Sequence, residues 1–337
     1  MSKKKIALIV VVVLAAFGAF LYFTNGPKFP RADMQYGLSF GILRAQDEGL
    51  DWKAVYNSIL NDLKVKRLRL VAYWPLIEPK KGTYDFKDMD YQMQEASAHK
   101  AQVILAVGRR VPGWPECHDP DWLGQYSLDQ QNQMLLDEVK TVVERYKDSP
   151  ALQTWQVENE PFFDAFTRSR DWCPPFDSAL LKKEIALVRQ LDPSHPILVT
   201  DSGELGTWFG AYNAGDQFGT SIYLYVWNND LGFIHYPIGA WFFRLKLGLT
   251  RLIFGDKPAL AIEVQSEPWI PRALDEVPVD EQIQHFDMSR MNELIEQSYE
   301  SGFQSAYLWG ASWWYWMKQH GHPEFWDRAR QLYSTSK

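Results

Sequence analysis

The sequence predicts an α/β protein, a (β/α)8 TIM barrel preceded by one N-terminal transmembrane helix. Three observations carry that expectation. An uncharged apolar run stands near the start, and eight apolar strand-like runs then alternate with eight helical patterns. The 337 residues also suit one closed barrel better than an open doubly wound sheet. Runs that are apolar throughout belong to strands buried on both faces, as in a parallel sheet covered by helices.

Taken in order, the chain opens MSKKKIALIVVVVLAAFGAFLYFTNG. Three lysines precede an uncharged stretch from Ile6 to Phe23, and about 18 apolar residues approach the length that crosses a bilayer. That exceeds the usual core of a signal peptide, although Ala16-Phe17-Gly18 offers a weak cleavage site and a cleaved leader is the alternative. The reading is a signal anchor over 1–25, a linker over 26–34 and a catalytic barrel over 35–337. The positive flank stays inside. The barrel is therefore expected outside the cytoplasm, tied to the cell membrane by a single pass, with the lipid bilayer as a partner.

The strands follow as YGLSFG (37–42), RLRLVAYW (67–74), QVILAVG (102–108), LQTWQVENE (152–160), PILVTDSG (196–203), TSIYLYVW (220–227), PALAIEVQ (258–265) and SAYLWGASWW (305–314). Helical patterns separate them, among them SLDQQNQMLLDEVKTVVERY, one continuous helix over EQIQHFDMSRMNELIEQSYESG, and the hydrophobic segment 238–254. Segment 238–254 reads as the sixth barrel helix or as an interfacial helix resting on the membrane.

A net charge of -7 supplies no basic field for nucleic acid. The first strand lacks a glycine-rich phosphate loop, which argues against a nucleotide. Scattered histidines such as His118, His285, His320 and His322 show no ligand spacing, so neither metal nor cofactor is expected. The 15 tryptophans fit a core or a surface that stacks on sugar rings. Outside the cytoplasm Cys117 and Cys173 could pair as a disulfide, or remain two buried thiols.

In such barrels catalytic groups sit where the strands end. Strand four ends in Glu158, Asn159 and Glu160, and strand seven carries Glu263 inside a run otherwise fit for burial. A lone buried charge is costly. Two carboxylates about 5 Å apart across the mouth are what a retaining glycosidase needs, one to attack the anomeric carbon and one to move the proton.

These segments resemble the clan-A glycoside hydrolases. WQVENEP is similar to the fourth-strand signature of that clan and AIEVQ to its seventh-strand nucleophile segment. RLRLVAYWPLIEPKKGTYDF, with Arg69 and Trp74, resembles the second strand and following loop of families 5, 42 and 39. The resemblance implies a retaining β-glycosidase acting on an oligo- or polysaccharide by hydrolysis or transglycosylation. It implies Glu160 as acid/base, Glu263 as nucleophile and Asn159 as the partner of the sugar 2-hydroxyl. Arg69 would keep Glu263 ionised, Tyr223 would hydrogen-bond it, and Trp309 would floor the sugar pocket. Tyr225 and Trp313 share the parity of Tyr223 and Trp309 along their strands, and Trp74, Trp313 and Arg109 are expected among the substrate contacts. Where the clan often carries His at the end of strand three, Arg109 and Arg110 stand here, which could favour an anionic substrate group. Glu267 and Glu158 are the rival carboxylates, and a catalytically idle glycan-binding barrel is the rival function.

Overall fold

The computed structural model describes residues 3–25, 33–163, 173–228 and 230–335. Eight parallel strands close into a barrel: β1 (Gln35–Ser39), β2 (Arg67–Val71), β3 (Gln102–Val107), β4 (Leu152–Val157), β5 (Ile197–Asp201), β6 (Gln217–Ile222), β7 (Ala259–Gln265) and β8 (Ser305–Trp309). The order runs β1-β8-β7-β6-β5-β4-β3-β2, and β1 closes the ring by pairing with both β8 and β2. The expected α/β barrel is present.

The strand sequences explain the layering. Outward-facing apolar residues such as Leu68, Leu70, Val103 and Leu105 pack against helix residues such as Ile59, Val139 and Val143 in one continuous core. A separate inner cluster of Ile104, Leu198, Leu260, Ile262 and Tyr307 fills the barrel interior. The helix Leu128–Tyr146 starts at a capping box, in which Ser127 and Gln130 satisfy each other's backbone amides.

Local chemistry moves several expected boundaries. The helix expected over the segment after β7 is two helices, Val279–His285 and Met288–Glu300, because the Asp287 side chain accepts from Arg290 N at 2.9 Å and starts a new one. Strand six ends at Ile222; Tyr225–Asn228 and Gly232–His235 instead form an antiparallel hairpin beyond it. Strand eight ends at Trp309, and Gly310, at φ 149°, turns the chain into the helix Ala311–Gln319. Segment 238–254 is the helix Ala240–Phe254, with Phe243 and Leu247 buried but Leu252 81% exposed.

The segment expected to anchor the chain is a helix, Lys3–Asn25. Its side chains are described only at Lys5, Ile6 and 9–20. Among the described residues no helix is long and apolar enough to cross a membrane. Phe20 meets Trp241 edge-on, with ring centroids 6.1 Å apart.

Candidate active site

The site begins with backbone geometry at the end of β4. Glu158 and Glu160 both adopt left-handed conformations, at φ 58° and 46°. Such positions cost non-glycine residues about a kcal/mol and persist where the surroundings hold them. Here they are held. The Glu158 carboxylate accepts from the amides of Arg109 and Arg110, at 2.7 Å each. Asn159 N donates to Arg110 O at 2.6 Å, and Glu160 N to Thr200 Oγ1 at 2.8 Å. Glu158 lies so close that a Cβ on Gly108 would fall 2.4 Å from its Oε1, and Gly108 itself sits at φ 122°. Glu158 is thus a structural strut.

A register shift then delivers the second carboxylate. Thr220 pairs with Ala261 but Ser221 pairs with Glu263, so β7 carries an extra residue. The same irregularity recurs against β8, between Ala306 and Leu308. Successive strand side chains ordinarily face opposite sides. The bulge lets Ile262 fill the barrel interior while its neighbour Glu263 also turns inward to Arg69. Ser39 Oγ donates to the Ile262 carbonyl at 3.1 Å, which satisfies the bulged backbone.

Arg69 ties the two strand ends together. Fully buried, it donates through Nε to Gln156 Oε1 at 2.8 Å, through Nη2 to Asn159 Oδ1 at 2.6 Å and through Nη1 to Glu263 Oε2. The contact to Glu263 is a charge-assisted hydrogen bond, which also fixes the orientation of that carboxylate. The Tyr223 hydroxyl donates to the other oxygen of Glu263 at 2.9 Å. Burial, and next the Glu263 and Glu267 charges, hold that phenol well above its ordinary value, so it stays a donor.

Glu160 has the opposite environment. Burial first, then the Glu116 and Glu263 carboxylates, push it well above the ordinary carboxylate range, so it keeps its proton. One carboxylate therefore accepts from two donors, and the other is held as a protonated acid.

A family model described as glycosyl hydrolase family 10 matches residues 60–201, which run from the approach to β2 through the end of β5 and include Asn159 and Glu160. The chain is a relative of the clan-A glycoside hydrolases. The probable mannan endo-1,4-beta-mannosidase C of Aspergillus terreus is 38% identical over 112 residues, which are 29% of this chain and 27% of that protein. The beta-galactosidase BgaA of Clostridium cellulovorans is 24% identical over 168 residues, 44% of this chain and 25% of that one. The chain thus spans about a quarter of the length of these curated relatives. Among solved structures, GH5_18 from Bifidobacterium longum subsp. longum superposes with a TM-score of 0.59 at 14% identity, covering 82% of this chain and 70% of that one. A beta-galactosidase from Halorubrum lacusprofundi gives 0.54 at 16% identity, with 82% and 52% covered. At those identities the likeness is one of fold.

In this relative of the clan, the structure gathers Glu160, Glu263, Asn159, Arg69 and Tyr223 at one mouth. Trp309 lies near it, with its Nε1 donating to Glu267 Oε1 at 3.1 Å. Glu267 also pairs with Arg44 at 2.8 Å, so it orients the Trp309 indole rather than standing free as a nucleophile.

Three expected substrate contacts are not gathered there. Trp313 is fully buried on the helix Ala311–Gln319, donates to Gln282 Oε1 at 2.6 Å and packs on Phe286 and Phe325. Trp74 is fully buried and donates to Glu78 Oε2 at 2.8 Å. Arg109 turns to Asp119, at 2.9 Å, and Gln131, while the Arg110 guanidinium donates to the carbonyls of Pro161 and Pro174. Neither arginine is placed to greet an anionic sugar. Tyr225 sits on the hairpin, stacked on His235 and bonded to Glu293.

Cys117 and Cys173 are joined as a disulfide. It fastens the loop after β3, and that loop carries Glu116, a carboxylate that the sequence places at the end of strand three without a role. Among the described residues no group of three or more His, Cys, Asp or Glu side chains could hold a metal ion.

Proposed function

We propose that the barrel is a retaining β-glycosidase acting by double displacement. The observation that carries this reading is the asymmetry of the two strand-end glutamates. Glu263 accepts from Arg69 and Tyr223, whereas burial and neighbouring charge keep Glu160 protonated. In the first step a Glu263 oxygen bonds to the anomeric carbon as the glycosidic C–O bond breaks, and Glu160 gives its proton to the departing oxygen. In the second, Glu160 as carboxylate takes a proton from water, whose oxygen displaces Glu263 and restores both groups. A second sugar in place of that water gives transglycosylation.

The substrate is a β-linked oligo- or polysaccharide. The mannosidases and beta-galactosidases among the relatives make β-mannosides and β-galactosides the first classes to test. The division into a signal anchor over 1–25, a linker over 26–34 and a catalytic domain over 35–337 belongs to the same proposal. So does its consequence, a barrel held outside the cytoplasm at the membrane. The Cys117–Cys173 disulfide is compatible with an oxidising compartment.

The test compares the full chain with Glu160→Gln and Glu263→Gln on a panel of β-mannans, β-galactosides and other β-glycans, with products read by mass spectrometry. Wild type should cleave or transfer, and each variant should lose at least about 10³-fold, the order expected when an acid/base or nucleophile is removed. Binding without any product from wild type would instead mark an idle glycan-binding barrel.

A further inference from the structure

The loop after β3 holds a third carboxylate against the proposed catalytic pair. Val111 N donates to the carbonyl of Glu116 at 2.9 Å, His118 N to the carbonyl of Arg109 at 3.1 Å, and the Tyr73 hydroxyl to the carbonyl of Pro112 at 2.9 Å. The disulfide at Cys117 clamps the same turn. Gly113 completes it at φ 112°, where a Cβ would stand 3.1 Å from the Tyr73 hydroxyl. This is a shaped loop with Glu116 at its inner edge.

Asn159 shows what Glu116 faces. Its Oδ1 accepts from Arg69 Nη2 at 2.6 Å, Gln156 Nε2 at 3.2 Å and Thr200 Oγ1 at 3.3 Å, which fixes the amide. Nδ2 must then point the other way, and it donates to Glu116 Oε1 at 3.3 Å. Asn159 shares Arg69 with Glu263, and on the glycosidase reading its amide faces the carbon next to the anomeric centre. The ring oxygen on the other side bears no hydrogen. A hydroxyl can both accept and donate, and so one placed beside that bond can accept from the N–H and donate to the carboxyl oxygen.

We propose that Glu116 is a specificity residue that, with Asn159, brackets the 2-hydroxyl of the reacting sugar. Asn159 Nδ2 donates to that oxygen and Glu116 accepts its O–H. This rests on the glycosidase reading above and extends it to one substituent. Burial, and next the Glu263 charge, push Glu116 up to about 8, so it is largely protonated at neutral pH; its carbonyl-type oxygen still accepts. A hydroxyl satisfies both groups, whereas a 2-deoxy sugar leaves the pair facing only each other. A 2-acetamido group supplies a donor but no oxygen at that point for Asn159.

The experiment uses the full chain and two pairs of probes. One pair is a 1-deoxynojirimycin-type iminosugar and its 2-deoxy counterpart, in manno and galacto configurations, with affinities read by calorimetry. The other is the matching 2-hydroxy and 2-deoxy aryl β-glycosides. Sites built to bond a hydroxyl reject the analogue lacking it strongly. Wild type should therefore favour the 2-hydroxy iminosugar by about tenfold or more. Glu116→Met, which removes the acceptor, should bring that ratio to within about threefold, while Glu116→Gln, which keeps a carbonyl oxygen, should preserve it.

An unchanged ratio in Glu116→Met would overturn the inference, as would wild type binding both iminosugars alike or neither. Turnover of aryl glycosides with such an unchanged ratio sinks this inference alone. The expected ratio without turnover sinks the glycosidase reading alone.

Discussion

At the residue scale the site works by unequal treatment of equal side chains. Glu160, Glu263 and Glu116 are chemically identical, and only their neighbours separate them. Burial acts on Glu160 with three like charges beside it, Glu116, Glu263 and Asp201, and the strongest of them is Glu116. That order has a measurable consequence. Glu160 must carry its proton to release the leaving group, so activity falls on the alkaline side as Glu160 ionises. Glu116, protonated at neutral pH, ionises as the pH passes about 8, and there its charge opposes the ionisation of Glu160 and holds the Glu160 value up. Glu116→Gln removes the opposing charge, lowers the Glu160 value and moves the alkaline limb of kcat to lower pH. The pH profiles of wild type and Glu116→Gln on one good substrate decide it. A limb that stays in place, or moves to higher pH, would show that Glu116 does not load Glu160.

Elements, rather than residues, decide whether those side chains meet. The loop between β3 and the helix Leu128–Tyr146 bears Glu116, and its one covalent tie is Cys117–Cys173 across a separation of 56 residues. Loop-closure entropy for that length is worth up to about 4 kcal/mol, and strain or residual unfolded structure reduces it. Replacing both cysteines by serine should lower the melting temperature by several degrees. It should also weaken the preference for a 2-hydroxyl, because Glu116 is released with the loop. Calorimetric melting of the double variant, beside wild type with and without reductant, measures the first effect, and an unchanged melting temperature would refute it.

The same scale separates what the sequence makes legible from what it hides. Apolar runs and Asn-Glu-Pro were readable because burial and turn chemistry leave local signatures. The β7 bulge was not, since nothing in AIEVQ shows that Ser221 skips Ile262 to pair with Glu263. Parity along SAYLWGASWW placed Trp309 and Trp313 on one face, but Gly310 changes the period from two to 3.6 between them. Arg109 was read as a pocket residue from its place at a strand end; its partner Asp119 lies ten residues on, and only the fold makes them neighbours. Glu116 is legible as a residue at the end of strand three but not as a neighbour of Asn159, because its position depends on a loop whose Cys117 is tied to a cysteine 56 residues away.

At the scale of the whole molecule, the barrel and the N-terminal helix make separate demands. The barrel is closed through β1 and β8 and carries its own inner and outer cores, all within residues 34–333. The helix Lys3–Asn25 meets it at Phe20 and Trp241, and its other described large apolar side chains are exposed, from 46% at Ile6 to 63% at Leu14. Exposed apolar surface of that extent favours a lipid or detergent phase over water. A chain shortened to begin at residue 33 should therefore keep the barrel's melting temperature within a degree or two and its catalytic constants unchanged. In phase separation with a mild detergent the full chain should enter the detergent phase and the shortened one the aqueous phase. If the shortened chain still entered the detergent phase, Leu249, Leu252 and Ile253 on the helix Ala240–Phe254, each at least half exposed, would be the next surface to change to polar residues. A collapse of the melting temperature on shortening would refute the separation itself and make the helix part of the barrel's own core.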